Sequence, residues 1–292
     1  MTNTIGFIGF GEVASILARH LCEQNATVFA YDVLLDRDDG KQILESRRQG
    51  APVRLTKLET VISNSHCIIS AVPTHLAQGV AETCTAHLAP SHVYVDVNST
   101  APWVKVAIGK VVESSKARFV EGAVLGAVGA TGAATKILLG GPHASEIAIF
   151  LNNLGLNTTP FSHEIGKASV FKMLRSIFSK GMEAILVEAL LAGAKAGVAE
   201  ELWRDFTDTL EKAPFSKVAD NWIRSHGTAC ERRYHEMELV LETMSGYGVA
   251  PVVTAGTTEF FKRSTELGLH GKFQIKPETK EQVIGVLATL LE

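Results

Sequence analysis

Short apolar runs and helix-periodic stretches alternate through the first half of the chain. The runs are Thr4–Ile8, Thr27–Tyr31, Cys67–Ala71, Val93–Asp96, Phe119–Ala123 and Thr135–Leu139. Each is short and largely apolar, as buried strands are. Between them, Ser15–Cys22 carries Ile16, Leu17 and Leu21 at helical spacing, and His75–His87 and Pro102–Ser114 also read as helices. Strands that alternate with helices predict an α/β domain over residues 1–162, built on a parallel, doubly wound sheet.

The pattern changes after Pro160. From Ile165 to Ala196 the chain has no proline, and Val170, Phe171, Leu174, Ile177, Met182, Ile185, Leu186 and Leu190 suit one long helix. Glu200–Glu211, Phe215–Ser225, Ala229–Met244 and Val252–Leu267 read as further helices, with Gly246 and Gly248 between the last two. Residues 163–292 are therefore expected to form an all-α domain. The long helix is apolar over more of its circumference than one packed face requires. That surplus predicts cover from other helices or from a second copy of the chain.

The first apolar run breaks into Gly9-Phe10-Gly11-Glu12-Val13-Ala14, a helix follows, and the second run ends at Asp32. Strand, glycine turn, helix, strand and acid together form the first unit of a dinucleotide-binding fold. Gly9 permits the turn, Gly11 lets the backbone approach a pyrophosphate at the helix N-terminus, and Ala14 allows close helix–strand packing. A carboxylate at Asp32 suits ribose hydroxyls and repels a 2′-phosphate, so NAD is the expected cofactor. Arg37 lies close enough in sequence to leave NADP open. A glycine turn that serves only helix–strand packing is the plainer alternative.

Bulk properties narrow the class. A net charge of −3 gives no electrostatic reason to expect nucleic acid or an anionic membrane as partner. No apolar run reaches the roughly 18 residues needed to cross a bilayer. The N-terminal segment is used as a strand, which predicts no cleaved leader and a cytoplasmic protein. Cys22, Cys67, Cys84 and Cys230 are widely spaced and read as reduced, mostly buried thiols. His66, His75, His87, His92 and His143 are scattered without metal-ligand spacing, so no metal is expected.

Five segments resemble the β-hydroxyacid dehydrogenase superfamily, which includes 6-phosphogluconate and 3-hydroxyisobutyrate dehydrogenases. They are Gly6–Ala14, Ala71-Val72-Pro73-Thr74, Val95–Thr100, Phe119–Ala127 and Gly166-Lys167-Ala168-Ser169-Val170-Phe171-Lys172. The resemblance implies cofactor contacts from Gly9, Phe10, Gly11, Glu12, Val13, Asp32, Val72, Pro73 and Asn98. It places Asn98, Leu125, Gly126 and Ala127 near the substrate and puts Lys172 in the position of the catalytic lysine. Three positions depart from the family pattern. Leu125 stands where the substrate-binding serine is expected, Ala127 replaces a glycine, and Ser176 replaces the asparagine four residues after the lysine. Ser176 keeps the same helix face as Lys172 and offers a hydroxyl instead of an amide. Phe171–Ala184 and Arg232–Met237 are similar to a subfamily of largely uncharacterised bacterial proteins with a phosphogluconate dehydrogenase-like C-terminal domain.

This resemblance implies a dehydrogenase or reductase acting on a small hydroxy or keto acid. Oxidising an alcohol needs a base for the hydroxyl proton, and a lysine serves only when burial or nearby positive charge brings its pKa down. Val170, Phe171, Leu174 and Arg175 around Lys172 are expected to supply both. Arg175 and His235 are candidates for the substrate's acid group, with a solvated charged face as the alternative for each. Ser99 and Thr100 are alternatively caps of the helix that follows Pro102. Family members pair through the helical domain, which implies a homodimer. Two other readings are an imine reductase, which uses a similar architecture with a different acid at the lysine position, and a dinucleotide-binding protein without turnover.

Overall fold

The computed structural model describes residues 3–292. The chain divides into two compact units, one up to Ser176 and one from Ile177 onward.

The first unit contains β1 (Thr4–Ile8), β2 (Thr27–Tyr31), β3 (Arg54–Leu55), β4 (Cys67–Ser70), β5 (Val93–Asp96), β6 (Arg118–Leu125), β7 (Lys136–Gly140) and β8 (Thr158–Ser162). Its helices are α1 (Glu12–Glu23), α2 (Gly40–Arg48), α3 (Leu58–Ser63), α4 (Ala77–Thr85), α5 (Pro102–Ser114), α6 (Val128–Thr131) and α7 (Ala144–Asn152). Among the described residues the strands form one sheet in the order β3-β2-β1-β4-β5-β6-β7-β8. Alternating side chains feed two cores. Phe7, Ile69 and Val95 pack with Leu17, Leu44 and Ile147 on one face. Ile8, Ile68 and Tyr94 pack with Ile62, Ala81 and Ile108 on the other. The chain leaves β1 towards β2 and returns to the other side of β1 as β4, so their carboxyl ends flank a topological switch point.

The sheet is not wholly parallel. β7 runs antiparallel to β6, with Glu121 opposite Gly140 and Leu125 opposite Lys136. Only residues 126–135 connect the two strands. A parallel return needs a crossover of a dozen or more residues, so the short connection forces the reversal. β3 and β8 were not expected. β3 spans two residues, and β8 contains Pro160 at the sheet edge, where a missing amide is tolerated.

α8 (Lys167–Ala196) begins in the first unit and ends in the second. The second unit adds α9 (Ala199–Glu211), α10 (Phe215–Gly246), α11 (Val252–Glu266) and α12 (Lys280–Leu290). Its core gathers Cys230, Leu269 and Val283 with Ile223, Phe261, Phe273 and Leu287. The two helices expected over 215–244 are one continuous helix. Gly227 does not break it. A Cβ there would sit 3.1 Å from both Phe273 and Pro277, so this glycine admits a close-packed segment. No described helix is long and apolar enough to cross a membrane.

Cys67, Cys84 and Cys230 are buried, Cys22 is half-buried, and all four are free thiols. Burial pushes the Cys67 and Cys84 thiols up to about 12, which leaves them protonated and unreactive.

Within the second unit, Glu188 on α8 takes up the orphan amides at the start of α11. Its carboxylate accepts from Val253 N (2.7 Å), Thr254 N (2.8 Å) and Thr254 Oγ1 (2.7 Å). Burial opposes ionisation of Glu188, but the Thr254 hydroxyl and the backbone amides outweigh it and hold the pKa below the ordinary value. A depressed carboxylate pKa stabilises the fold above the unfolded pKa of about 4.3 and loses that contribution as pH falls through the folded value. Glu188→Gln should therefore cost about 1–2 kcal/mol in urea unfolding at pH 7. The gap to the parent protein should narrow at pH 3, and a gap that widens in acid would contradict this account.

Candidate active site

The site begins at the turn after β1. Gly9 has φ +82°, and a Cβ on it would collide with the Ala71 carbonyl, so only glycine fits between β1 and the loop after β4. Gly11 is the N-cap of α1 and contributes no side-chain hydrogen bond. A Cβ at Gly11 would meet nothing within 4 Å, so the backbone faces open space. A helix N-terminus bared in this way attracts an anion.

A cleft of about 770 Å³ opens here, at the carboxyl ends of β1, β2, β4 and β5. Gly9, Gly11, Glu12 and Val13, Asp32, Val72 and Pro73, and Asn98 all line it. Phe10 is the exception among the expected cofactor residues. Its ring is fully buried in the core, and only its peptide serves the turn. Asp32 accepts from Phe10 N (2.8 Å) through Oδ2 and from Leu34 N (3.0 Å) through Oδ1. It therefore fixes the turn, and each oxygen keeps a lone pair for a ribose hydroxyl.

Arg37 does not line the cleft. Its guanidinium is paired with Asp39 at 3.1 Å. The cation at this end is Arg47 of α2, which lines the cleft and donates to Phe10 O at 3.1 Å. Arg47 makes no ion pair among the described residues, unlike its neighbour Arg48, which meets Glu45. Sequence distance concealed it, because the turn and α2 are separated by the whole second strand.

The end of β5 carries a buried network. Asp96 and Lys105 are both fully buried and form an ion pair, and Lys105 Nζ also donates to Asp96 O at 2.8 Å. Asp96 accepts from Asn98 N (3.1 Å) and from Asn98 Nδ2 (2.9 Å). Asn98 Nδ2 reaches Ser70 Oγ at 3.0 Å, and Asn98 Oδ1 accepts from Val72 N at 2.7 Å. The Asn98 amide thus holds the cleft wall in place. Lys105 was missed, although a signal exists. It shares a buried stripe with Ile108, Gly109 and Val112, and a lysine on an apolar stripe calls for a buried acid.

Ser99 and Thr100 do not cap α5. Its N-cap is Ala101, without a side-chain bond, and Pro102 fills the first turn. Ser99 instead lines the cleft and accepts from Lys172 Nζ at 2.6 Å. Lys172 lies on α8 and is half-buried. Its expected apolar enclosure is absent, since Val170, Phe171 and Leu174 are exposed at 37%, 40% and 60%. Ser176 Oγ donates to Lys172 O at 3.1 Å, so that hydroxyl is engaged with the helix backbone.

At the end of β6, Leu125 is half-buried against Ala123, Leu138 and Ala168, while Gly126 and Ala127 are exposed in the loop that follows, where Gly126 has φ +119°. Arg175 is exposed on α8. His235 belongs to the second unit, where its Nδ1 meets Glu238 Oε2 at 2.9 Å, and Arg232 pairs with Glu236. Hydrogen bonds from Tyr234 and then His235 hold the Glu238 carboxyl below its usual value. Among the described residues no cluster of His, Cys, Asp or Glu is arranged to hold a metal ion.

A glycine turn that bares a helix N-terminus, an acid at the next strand end and a cleft at the switch point define a dinucleotide-binding domain. The chain belongs to the family of the NAD binding domain of 6-phosphogluconate dehydrogenase, whose model matches residues 4–159. A second model, for a domain of unknown function, matches residues 194–264. A curated relative, 2-(hydroxymethyl)glutarate dehydrogenase of Eubacterium barkeri, is 24% identical over 97% of this chain and 96% of its own. An uncharacterised 28.5 kDa protein of Methanothermus fervidus is 28% identical over 90% of this chain and 99% of its own. Among solved structures, a conserved protein of unknown function with structural similarity to 3-hydroxyacid dehydrogenases is 32% identical, with a TM-score of 0.62 over 92% of this chain and 99% of its own. An imine reductase variant of Myxococcus stipitatus in complex with NAD+ shares the fold at 18% identity, with a TM-score of 0.78 over 100% of both chains. The protein is thus an NAD-binding member of the hydroxyacid dehydrogenase-like superfamily.

If Asp32 reads the ribose, Asp32→Ala should weaken NADH binding by about tenfold, the value of one or two charge-assisted hydrogen bonds. NADPH should lose less, because the same change removes a repulsion. Fluorescence titration with both nucleotides measures this, and equal losses would count against the ribose role.

Proposed function

We propose that the protein is an NAD(P)-dependent oxidoreductase that moves a hydride between nicotinamide and the CH–OH carbon of a small hydroxy or keto acid. The observation that carries this reading is the 2.6 Å hydrogen bond from Lys172 Nζ to Ser99 Oγ. It joins the α8 lysine to a residue of the cleft wall, where a proton carrier beside the reacting carbon is needed.

Gly9, Gly11 and the uncapped start of α1 form a cradle that fits a dinucleotide, with Asp32 for its ribose and Val72, Pro73 and Asn98 along one wall. The bound nicotinamide supplies or accepts the hydride. Lys172 Nζ gives a proton to the carbonyl oxygen in reduction and takes one from the hydroxyl in oxidation. Ser99 accepts from the ammonium and still has its own hydrogen to donate, so it can orient the same substrate oxygen. Ser176, bonded to the Lys172 carbonyl, steadies the helix turn that carries the lysine. Arg175 is the proposed partner of the substrate's acid group, with the exposed backbone of Gly126 and Ala127 beside Leu125. The dehydrogenase relative acts on a hydroxy acid by its name, which supports this substrate class. The imine reductase alternative rests on shared fold alone, and a lysine at position 172 favours the alcohol.

We also propose that the second unit pairs with its counterpart in a second copy. Ile177, Val187, Leu191 and Leu239 are 71%, 55%, 56% and 63% exposed, a large apolar surface for water to bear. Light scattering at micromolar concentration should give a dimer mass, and a monomer would refute the pairing.

Turnover should be screened over hydroxy acids, keto acids and cyclic imines with both nucleotides. Lys172→Ala should cut turnover by about 10²–10⁴ with nucleotide affinity little changed. Lys172→Arg should be nearly as inactive, because guanidinium stays protonated at neutral pH. Turnover by Lys172→Ala with an unaltered pH profile would remove the mechanism, and imines as the better substrates would replace it.

A further inference from the structure

The first-unit sheet carries two fully buried carboxylates side by side. Asp96 on β5 and Glu121 on β6 are register partners. Asp96 is answered by Lys105 and holds Asn98, the residue before Ser99. Glu121 meets no lysine or arginine among the described residues. Its partners all come from the start of α8. Glu121 Oε1 accepts from Gly166 N (2.8 Å) and Ala168 N (2.9 Å), and Oε2 accepts from Ser169 Oγ (2.9 Å).

These contacts fix more than the helix start. A negative charge on the first amides complements the helix dipole. The three donors also set the rotation of α8 about its axis, because Ala168 is fully buried against Ala123 and Leu138, and Ser169 is buried beside it. Lys172 follows Ala168 by four residues and Ser169 by three, so it lies on that same face one turn further on. The sheet has made room for the carboxylate. A Cβ on Gly140, directly across from Glu121, would collide with Glu121 Oε1.

We propose that Glu121 is the positioning residue for Lys172, so that two neighbouring carboxylates bring the lysine and Ser99 together. Asp96 sets the Ser99 loop from one strand, and Glu121 sets the phase of the lysine's helix from the next. The functional weight of this inference rests on Lys172 as the proton carrier. Its structural content does not.

The test uses the full chain with its lysines converted to ¹³C-dimethyl-lysines, and reads the Lys172 resonance, assigned by its loss in Lys172→Arg. Ser99→Ala shows the shift produced when the contact is lost. Glu121→Ala should move the Lys172 resonance in the same direction. It should speed hydrogen exchange at the Gly166 and Ala168 amides by about tenfold or more. NADH affinity should stay within about twofold, because the cleft is built by other residues. Glu121→Gln should restore the parent resonance, since its carbonyl can accept both amides while its NH₂ donates to Ser169 Oγ. If Glu121→Ala does not fold, Gly140→Ala displaces the carboxylate without removing it and should produce the same shift. A Lys172 resonance that stays put in the folded Glu121→Ala or Gly140→Ala variant overturns the proposal. Failure of the acid/base reading would show as turnover by Lys172→Ala, to which this resonance is blind.

Discussion

A charge enclosed by protein has to be answered inside the protein, and two buried acids lie side by side in the sheet of the first unit. Asp96 and Glu121 lie on neighbouring strands with no exposure to solvent. An unpaired carboxylate there would cost several kcal/mol or give up its charge. Each instead recruits groups from elsewhere in the chain. Asp96 draws Lys105 out of α5 and Asn98 from the following loop, which in turn holds Val72 beside the cleft. Glu121 draws the first turn of α8. The cleft wall and the lysine helix thus owe their placement to two neighbouring interior strands. The Lys172–Ser99 contact therefore depends on the same buried carboxylates that anchor the sheet.

The legible parts of the sequence were the local ones. Gly9, Gly11, Ala14 and Asp32 fall within one strand–turn–helix–strand unit, so backbone geometry and spacing carry the message together. Residues 102–114 were bounded correctly because Pro102 starts the helix. Elements that depend on distant partners were not legible. Glu121 reads as one more strand residue until Gly166 and Ala168, some 45 residues later, fold onto it. β3 is two residues long and exists because β2 is there to pair with it. α10 reads as two helices, Phe215–Ser225 and Ala229–Met244, yet runs unbroken through Gly227, which is a packing notch for Phe273. Lys172 is marked by family resemblance, but for Ser99 a helix cap stays open as an alternative, because spacing alone cannot show a contact 73 residues away.

The fold is shared with proteins of different chemistry, so the residues in the cleft carry the distinction. Here Leu125, the last residue of β6, offers no hydroxyl and packs with Ala168. The hydroxyl supplied by Ser176 is turned to the helix backbone. Ser99 touches Lys172 directly.

Gly140 is the mould of the Glu121 carboxylate, present in the sequence only as a missing side chain. The two positions are 19 residues apart along the chain yet form one steric unit across the β6–β7 pair. Their substitutions should be epistatic. Alanine at 140 is harmful beside glutamate, and should become tolerable once a shorter acid at 121 draws the carboxylate back by one methylene. In a set of related sequences the two positions should then change together, and that covariation would record a volume constraint and carry no chemical information.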